Sequence, residues 1–429
     1  MSAGASVMVS GSSRQYEEGM NAIDEGLRAR EGDMKYRLLV LALATFAIGT
    51  DNYVVAGILP QVAGHLHVGV GAAGQFVTFY SLAYALGAPI AATVTANWPS
   101  RRALLVGLAV FVVGNILTAT THTFELALAS RAVAGLGGAI VTPVAGATAA
   151  AMVAPTWRGR ALAIVLAGLT CATALGAPLG TLVASMGDWR TTMWFVAGLG
   201  GFACVATAAV LPVVPRSSSL RLKDRLAPLA DARVVATLAT TLLGMFGQFL
   251  VYTYLSVVFE RVTAGDGKVL AMLMSIWGSG ATVGILGGGR LADRFGSRPV
   301  IAVAIAIVTI DFLLVPWSSA HFGGAAISLA IWGASGYAFG VSQQHRLVAI
   351  APTLAPVLIA LNSSAIYLAV SASSSSGAVL LRWLPPLDLP FVGAVGLACA
   401  FVIAEVAPRL RRASPSRSTT VMSGCAEAE

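Results

Sequence analysis

The chain has 429 residues, of which 57% are hydrophobic and only 11% charged, with a mean hydropathy of +0.80. A soluble domain carries roughly a quarter charged residues, so this composition excludes a soluble enzyme and points to a chain whose solvent is lipid. In a soluble protein a net charge of +8 would suggest nucleic-acid binding; in a lipid-borne chain, basic residues encode orientation instead.

The first 36 residues are polar, with Arg14, Glu17, Glu18, Asp24, Glu25, Arg28 and Arg30, and lack the apolar core of a cleavable signal peptide. Apolar runs of about 20 residues follow, each able to cross about 30 Å of hydrocarbon at about 1.5 Å per residue. Twelve are predicted, over residues 37 to 61, 73 to 97, 102 to 121, 125 to 151, 159 to 186, 190 to 213, 234 to 260, 269 to 291, 299 to 317, 323 to 350, 354 to 382 and 389 to 408. The longest polar interruption, Pro215 to Arg233, divides them into two sets of six. The expected organisation is a cytoplasmic tail (1–36), a first bundle (37–213), a central loop (214–233), a second bundle (234–408) and a cytoplasmic tail (409–429). The fold class is all-α: two pseudo-symmetric six-helix bundles, with a basic turn after the second span of each half, an internal duplication typical of secondary transporters.

Of the 27 Lys and Arg, 22 fall on segments that are cytoplasmic if the amino terminus is inside, among them Arg101, Arg102, Arg158, Arg160, Arg216, Arg221 and Arg409, Arg411, Arg412 and Arg417. Only Arg190, Arg261, Lys268 and Arg382 fall outside. By the positive-inside rule both termini are expected in the cytoplasm. Of the four cysteines, Cys171, Cys204 and Cys399 lie in spans and Cys425 in the tail, a spacing that suggests neither a metal nor a disulfide. His65, His67, His122 and His321 fall on outer loops and are read as surface residues.

An ionisable side chain in hydrocarbon is costly and points to function. Asp51, Arg131 and Asp311 are the principal cases. At about 1.5 Å per residue, Asp51 lies about 21 Å from the inner surface and Arg131 about 9 Å from the outer one, so their depths coincide. Burial and a guanidinium neighbour pull the proton affinity of such a carboxylate in opposite directions, which makes Asp51 with Arg131 a candidate proton-coupling pair. Asp311 has no evident basic partner. Candidates to line a cargo cavity are Tyr53, Phe79, Tyr80, Tyr84, Gln248, Tyr252, Tyr254, Tyr337, Gln343 and Asn362, which can stack on and hydrogen-bond an amphipathic ligand. In the fifth span Gly168, Gly176, Pro178 and Gly180 combine a mid-helix proline with small residues, the ingredients of a kinked, closely approachable gate. No G-x-x-x-x-G-K-[ST] loop is present, which leaves an ion gradient rather than ATP as the expected energy source.

The stretch Gly289-Arg-Leu-Ala-Asp293-Arg294-Phe-Gly296-Ser-Arg298 resembles the loop signature of the major facilitator superfamily. Arg131 with Gly135 resembles its fourth-helix motif, Gly176-Ala-Pro178-Leu-Gly180 its fifth-helix antiporter motif, and Asp51-Asn-Tyr-Val-Val-Ala-Gly57-Ile-Leu-Pro60 the first-helix signature of its twelve-helix drug/proton antiporters, the arabinose, chloramphenicol and purine efflux permeases. The resemblance covers about residues 37 to 408. It departs from the pattern in the first half, where Ala96, Asn97 and Pro99 replace the expected Asp, Arg and Gly.

The resemblance implies the major facilitator fold, a cytoplasmic latch built on Gly289, Asp293, Arg294, Gly296 and Arg298, proton transfer assisted by Arg131, and export rather than uptake. The resulting expectation is a non-enzymatic, monomeric antiporter of the bacterial inner membrane. It exchanges a small-molecule drug, antibiotic or metabolite for protons, with the bilayer as its other partner and no cofactor, metal or nucleic acid. The alternatives are a proton-coupled sugar or nucleoside symporter and a non-transporting sensor or scaffold on the same fold.

Overall fold

The computed structural model describes residues 5–213 and 222–406, with side chains from residue 34 in the first stretch and residue 223 in the second. Arg216, Arg221, Arg409, Arg411, Arg412, Arg417 and Cys425 lie outside the described residues. Those described form helices and short turns with no strand. Twelve helices are long and apolar enough to cross a membrane: α1 (Met34–His65), α2 (Val70–Val94), α3 (Ser100–Thr120), α4 (Phe124–Met152), α5 (Pro155–Ser185), α6 (Trp189–Val210), α7 (Ala232–Thr253), α8 (Gly267–Phe295), α9 (Ser297–Ser318), α10 (Phe322–Ile350), α11 (Pro352–Leu380) and α12 (Pro386–Val406).

Several boundaries differ from the sequence reading. The helix that contains α1 begins at Ala5 and runs unbroken to His65, so the polar tail continues the first span. The second span starts at Val70 and ends at Val94. The seventh helix stops at Thr253 rather than reaching residue 260, and two four-residue helices, Leu255–Val258 and Glu260–Thr263, follow it. The break falls at Tyr254, where tertiary contacts of the ring, described below, override the local helical pattern.

Two compact units are present. One comprises Met1–Val68, Leu82–Ser219 and Asp266–Ser275; the other comprises Gly69–Ser81, Leu220–Gly265 and Ile276–Glu429. Two helices therefore change unit part-way: α2 between Ser81 and Leu82, and α8 between Ser275 and Ile276.

In the first unit, α3 and α4 pack extensively against each other. A Cβ on Gly114 would lie 2.7 Å from Cα of Ala134, and one on Gly137 would lie 2.5 Å from the backbone N of Phe111. The two helices thus touch backbone to backbone, as small residues permit in a membrane. The start of α8 is tied to α5 by a hydrogen bond of 3.4 Å from Thr181 Oγ1 to Met274 Sδ. At span ends, guanidinium groups lie over indoles: Arg102 over Trp98 at 4.9 Å, Arg160 over Trp157 at 4.8 Å and Arg190 over the buried Trp189 at 4.6 Å; the first two pairs are suited to the headgroup layer.

In the second unit, Gly280, Gly284 and Gly288 of α8 sit one turn apart and meet Ala330, Ala334 and Ala338 of α10. The start of α2 is fixed to α11, with Ser374 Oγ donating to the carbonyl of Gly74 at 2.5 Å and Ser375 Oγ to Thr78 Oγ1 at 3.2 Å. Large apolar side chains such as Leu86, Ile90, Phe202, Val205 and Leu286 are exposed, as expected where the solvent is acyl chain.

Candidate functional site

The first unit buries two charged side chains among the described residues, Asp51 of α1 at 0% exposure and Arg131 of α4 at 1%. They meet: Arg131 Nη1 donates to Asp51 Oδ1 at 2.7 Å. A third residue, Asn115 of α3, completes the cluster and is wholly buried. Its Oδ1 accepts from Arg131 Nη1 at 3.3 Å, and its Nδ2 donates to the carbonyl of Phe111 at 3.0 Å and, at 3.5 Å, to Asp51 Oδ2. Beside it, the hydroxyls of Thr118 and Ser130 lie 2.7 Å apart and join α3 to α4 again.

Such a pair is costly to bury and costlier to break on one side, because an unpartnered charge then remains in a medium of low dielectric constant. A proton delivered to Asp51 would cancel its charge and oblige the guanidinium to rely on other acceptors. The charge on Asp51 thus bears directly on how α1 packs against α3 and α4.

The glycines of the fifth-span motif pack on α1 around this cluster. A Cβ on Gly168 would strike the carbonyl of Ala42, one on Gly176 would strike Oγ1 of Thr50, next to Asp51, and one on Gly180 would come within 2.5 Å of Cγ2 of Val54. Between Gly168 and Pro178 the helix widens into a π-turn, Ala172–Gly176, the kind of interruption often found at functional positions.

In the second unit Gln248, Tyr252 and Tyr337 of the predicted cavity set are joined by two tryptophans that sequence reasoning missed. Trp332 Nε1 donates to Gln248 Oε1 at 3.3 Å. Trp277 has its ring centroid 4.4 Å from that of Tyr252 and 5.6 Å from that of Tyr337, and Phe312 lies 5.0 Å from Trp332. This is an amide set among aromatic faces, contributed by α7, α8, α9 and α10.

The other candidates are placed elsewhere. Gln343 donates to the carbonyl of Thr237 at 3.3 Å, and Asn362 Oδ1 accepts from Thr241 Oγ1 at 3.0 Å, so both brace α7 from within. Tyr53, Tyr80 and Tyr84 are buried, whereas Phe79 is exposed. Tyr254 is fully buried at the break after α7: its hydroxyl donates to the carbonyls of Ser374 at 2.7 Å and Gly71 at 3.3 Å. Its ring fills space that a Cβ on Gly74 or Gly377 would need, a wedge between α2 and α11. Asp311 is buried and accepts from Ser328 Oγ at 3.1 Å.

In the loop motif, Gly296 takes a positive φ of 83° and caps α9, the backbone conformation that favours glycine. Arg298 pairs with Glu405 at the end of α12 at 2.5 Å, Asp293 lies 3.6 Å from Nε2 of His345, and Arg294 lies over Phe295. A Cβ on Gly289 would meet Cγ1 of Val341 at 3.9 Å, an ordinary contact, so this glycine is not there for close packing. In the degenerate first copy Arg101 still reaches the carbonyl of Ala208 on α6.

A chloramphenicol resistance protein of Streptomyces lividans is 33% identical over 340 residues, covering 75% of this chain and 84% of that protein. The inner membrane transport protein YdhP of Escherichia coli (strain K12) is 28% identical over 377 residues, covering 88% and 97%. Among solved structures, the nucleoside transporter NupG has a TM-score of 0.67 at 13% identity, covering 88% of this chain and 99% of that one. A bacterial homologue of the human lysosomal transporter Spinster also scores 0.67, at 15% identity, covering 88% and 97%; at such identities the likeness concerns the fold. The family profile described as the Major Facilitator Superfamily matches residues 41–378, and with twelve apolar helices on that fold the chain belongs to this superfamily of multi-pass membrane transporters.

Proposed function

We propose that the protein exports small molecules from the cytoplasm across the bacterial inner membrane in exchange for protons, by alternating access. The observation that carries this reading is the buried Asp51–Arg131 pair, an ionisable bond in hydrocarbon at the junction of three helices. Proton uptake at Asp51 weakens its tie to Arg131, and proton release restores it, so the two charge states favour different packings of α1. The direction of transport is supported by the fifth-span motif and by the kinship with a chloramphenicol resistance protein. The aromatic and amide set around Gln248 and Trp332 suits an amphipathic cargo that stacks and hydrogen-bonds.

The test is accumulation of a panel headed by chloramphenicol in cells with and without the protein, each with and without an uncoupler. The expected result is lower accumulation with the protein, abolished by the uncoupler and by Asp51→Asn. Export that persists at an unchanged rate after the gradient is collapsed would overturn the proton-driven reading.

A further inference from the structure

We propose that the cavity between the start of α2, the end of α11 and the start of α12 binds one anionic phospholipid, with the lipid phosphate on Arg382 and the glycerol and first acyl carbons inside the cavity.

The cavity measures about 390 Å³ and lies wholly within the second unit. A water molecule takes about 30 Å³ of liquid volume, so the space admits a molecule of many atoms. Val70 of α2, Val257 of the short helix Leu255–Val258, Ala378 and Leu381 around the end of α11 and Pro386 at the start of α12 give it apolar walls, and Arg382 is the charged residue among those that line it. Gly69 borders open space: a Cβ there would meet no atom within 4 Å, and its φ of −67° and ψ of 153° suit any residue. At Gly71 the walls meet, since a Cβ would stand 2.9 Å from the carbonyl oxygen of Ala378.

The charge and position of this cavity select its occupant. Arg382 is exposed, and among the described residues its side chain enters no ion pair or hydrogen bond; Arg190, expected on the same face, is by contrast paired with Asp188. A guanidinium offers a planar fork of donors that matches phosphate oxygens. The next residue, Trp383, is 82% exposed at the end of a span, where an indole suits the headgroup layer. An apolar recess with a cation at its mouth, set at the rim of a bilayer, complements a lipid that is anionic outside and hydrocarbon within. A soluble anion would leave the apolar walls unmatched. A zwitterionic lipid brings its own cation to compete for its phosphate. The carbonyl of Gly71 also accepts from the Tyr254 hydroxyl, so a lipid seated here bears on the junction of α2 with α11.

The test is native mass spectrometry of the purified full chain, delipidated in neutral detergent and supplied with equal amounts of phosphatidylglycerol and phosphatidylcholine. The wild type is expected to retain phosphatidylglycerol with about tenfold preference, and Arg382→Gln to bring the two lipids near parity. Gly69→Leu, which fills the cavity, is expected to lower retention of phosphatidylglycerol about tenfold. Wild-type behaviour of either variant would overturn the proposal. If Gly69→Leu does not fold, Val257→Phe fills the same space and is read by the same criterion. A further arm adds glycerol 3-phosphate, a headgroup without acyl chains, at the concentration of the lipid. No displacement of phosphatidylglycerol is expected; displacement would make the cavity a site for soluble anions and overturn the lipid assignment. Because no transport is measured, either result leaves the export reading as it stands.

Discussion

The two halves of the chain repeat one scaffold and diverge in what they bury. The helices α4 and α10 have the same length, 29 residues. Counted from Phe124 and Phe322, Ser130 and Ser328 hold the same place, but the next residue is Arg131 in one and Leu329 in the other. Both serines reach the preceding helix: Ser130 meets Thr118, and Ser328 donates to Asp311. Likewise Arg101 and Arg298 open α3 and α9 and each reaches the last turns of α6 or α12, where the acceptor is a backbone carbonyl in one half and the Glu405 carboxylate in the other. Where the first half holds a charged pair, the second holds Gln248 among Trp332, Tyr252 and Trp277. The frame is shared, and what it encloses differs: a buried ionic pair in the first half and a buried aromatic, amide-bearing set in the second.

The strongest way to break this contrast is Arg131→Leu, which gives α4 the residue that α10 carries. It strands a buried carboxylate at a cost of about 3–5 kcal/mol, visible as a lower Tm in detergent and as loss of uncoupler-sensitive export. Next is the Tyr254 wedge: Gly74→Val collides with the tyrosine hydroxyl, and overpacking of this kind costs about 1–3 kcal/mol, measurable as reduced thermal stability. A smaller effect is expected for Gln248→Leu, which removes the hydrogen bond from Trp332. The loss is about 1 kcal/mol, and the assay to watch is the range of compounds exported, with uncoupler sensitivity kept. The smallest belongs to Asp311→Asn, where Ser328 can still donate to the amide oxygen; export and its gradient dependence should match wild type. If Asp311→Asn instead abolished gradient dependence, the second half would share in coupling and the contrast would fail.

Much of the fold was legible because hydrocarbon imposes lengths: runs of about 20 apolar residues can be counted without knowing what they touch. Asp51 and Arg131 were legible for the same reason, since a formal charge in lipid demands a partner. Asn115 was not, although it lies in a span and its amide carries the same kind of demand in weaker form; a search for every strong hydrogen-bonding group in a span, charged or neutral, would have found it. Trp277 and Trp332 were missed because an aromatic residue in a span can face lipid, core or cavity, and sequence alone carries no sign of which. The break after Thr253 was invisible because no glycine or proline marks it; it answers to Tyr254 reaching Gly71 and Ser374 across the fold. The exchange of half-helices at Ser81 and Ser275 likewise depends on tertiary contacts that periodicity does not encode.

The arginine–tryptophan pairs at Trp98 and Trp157 restrict how the first unit can move. An indole and a guanidinium at a helix end are together best solvated among headgroups, so a piston-like slide of α3 or α5 along the bilayer normal would draw a guanidinium toward the acyl chains or lift a ring into water. Tilting and rolling about those anchor points incur neither penalty. Whatever rearrangement carries cargo across, the cheapest motion for this unit is a rock on a fixed rim.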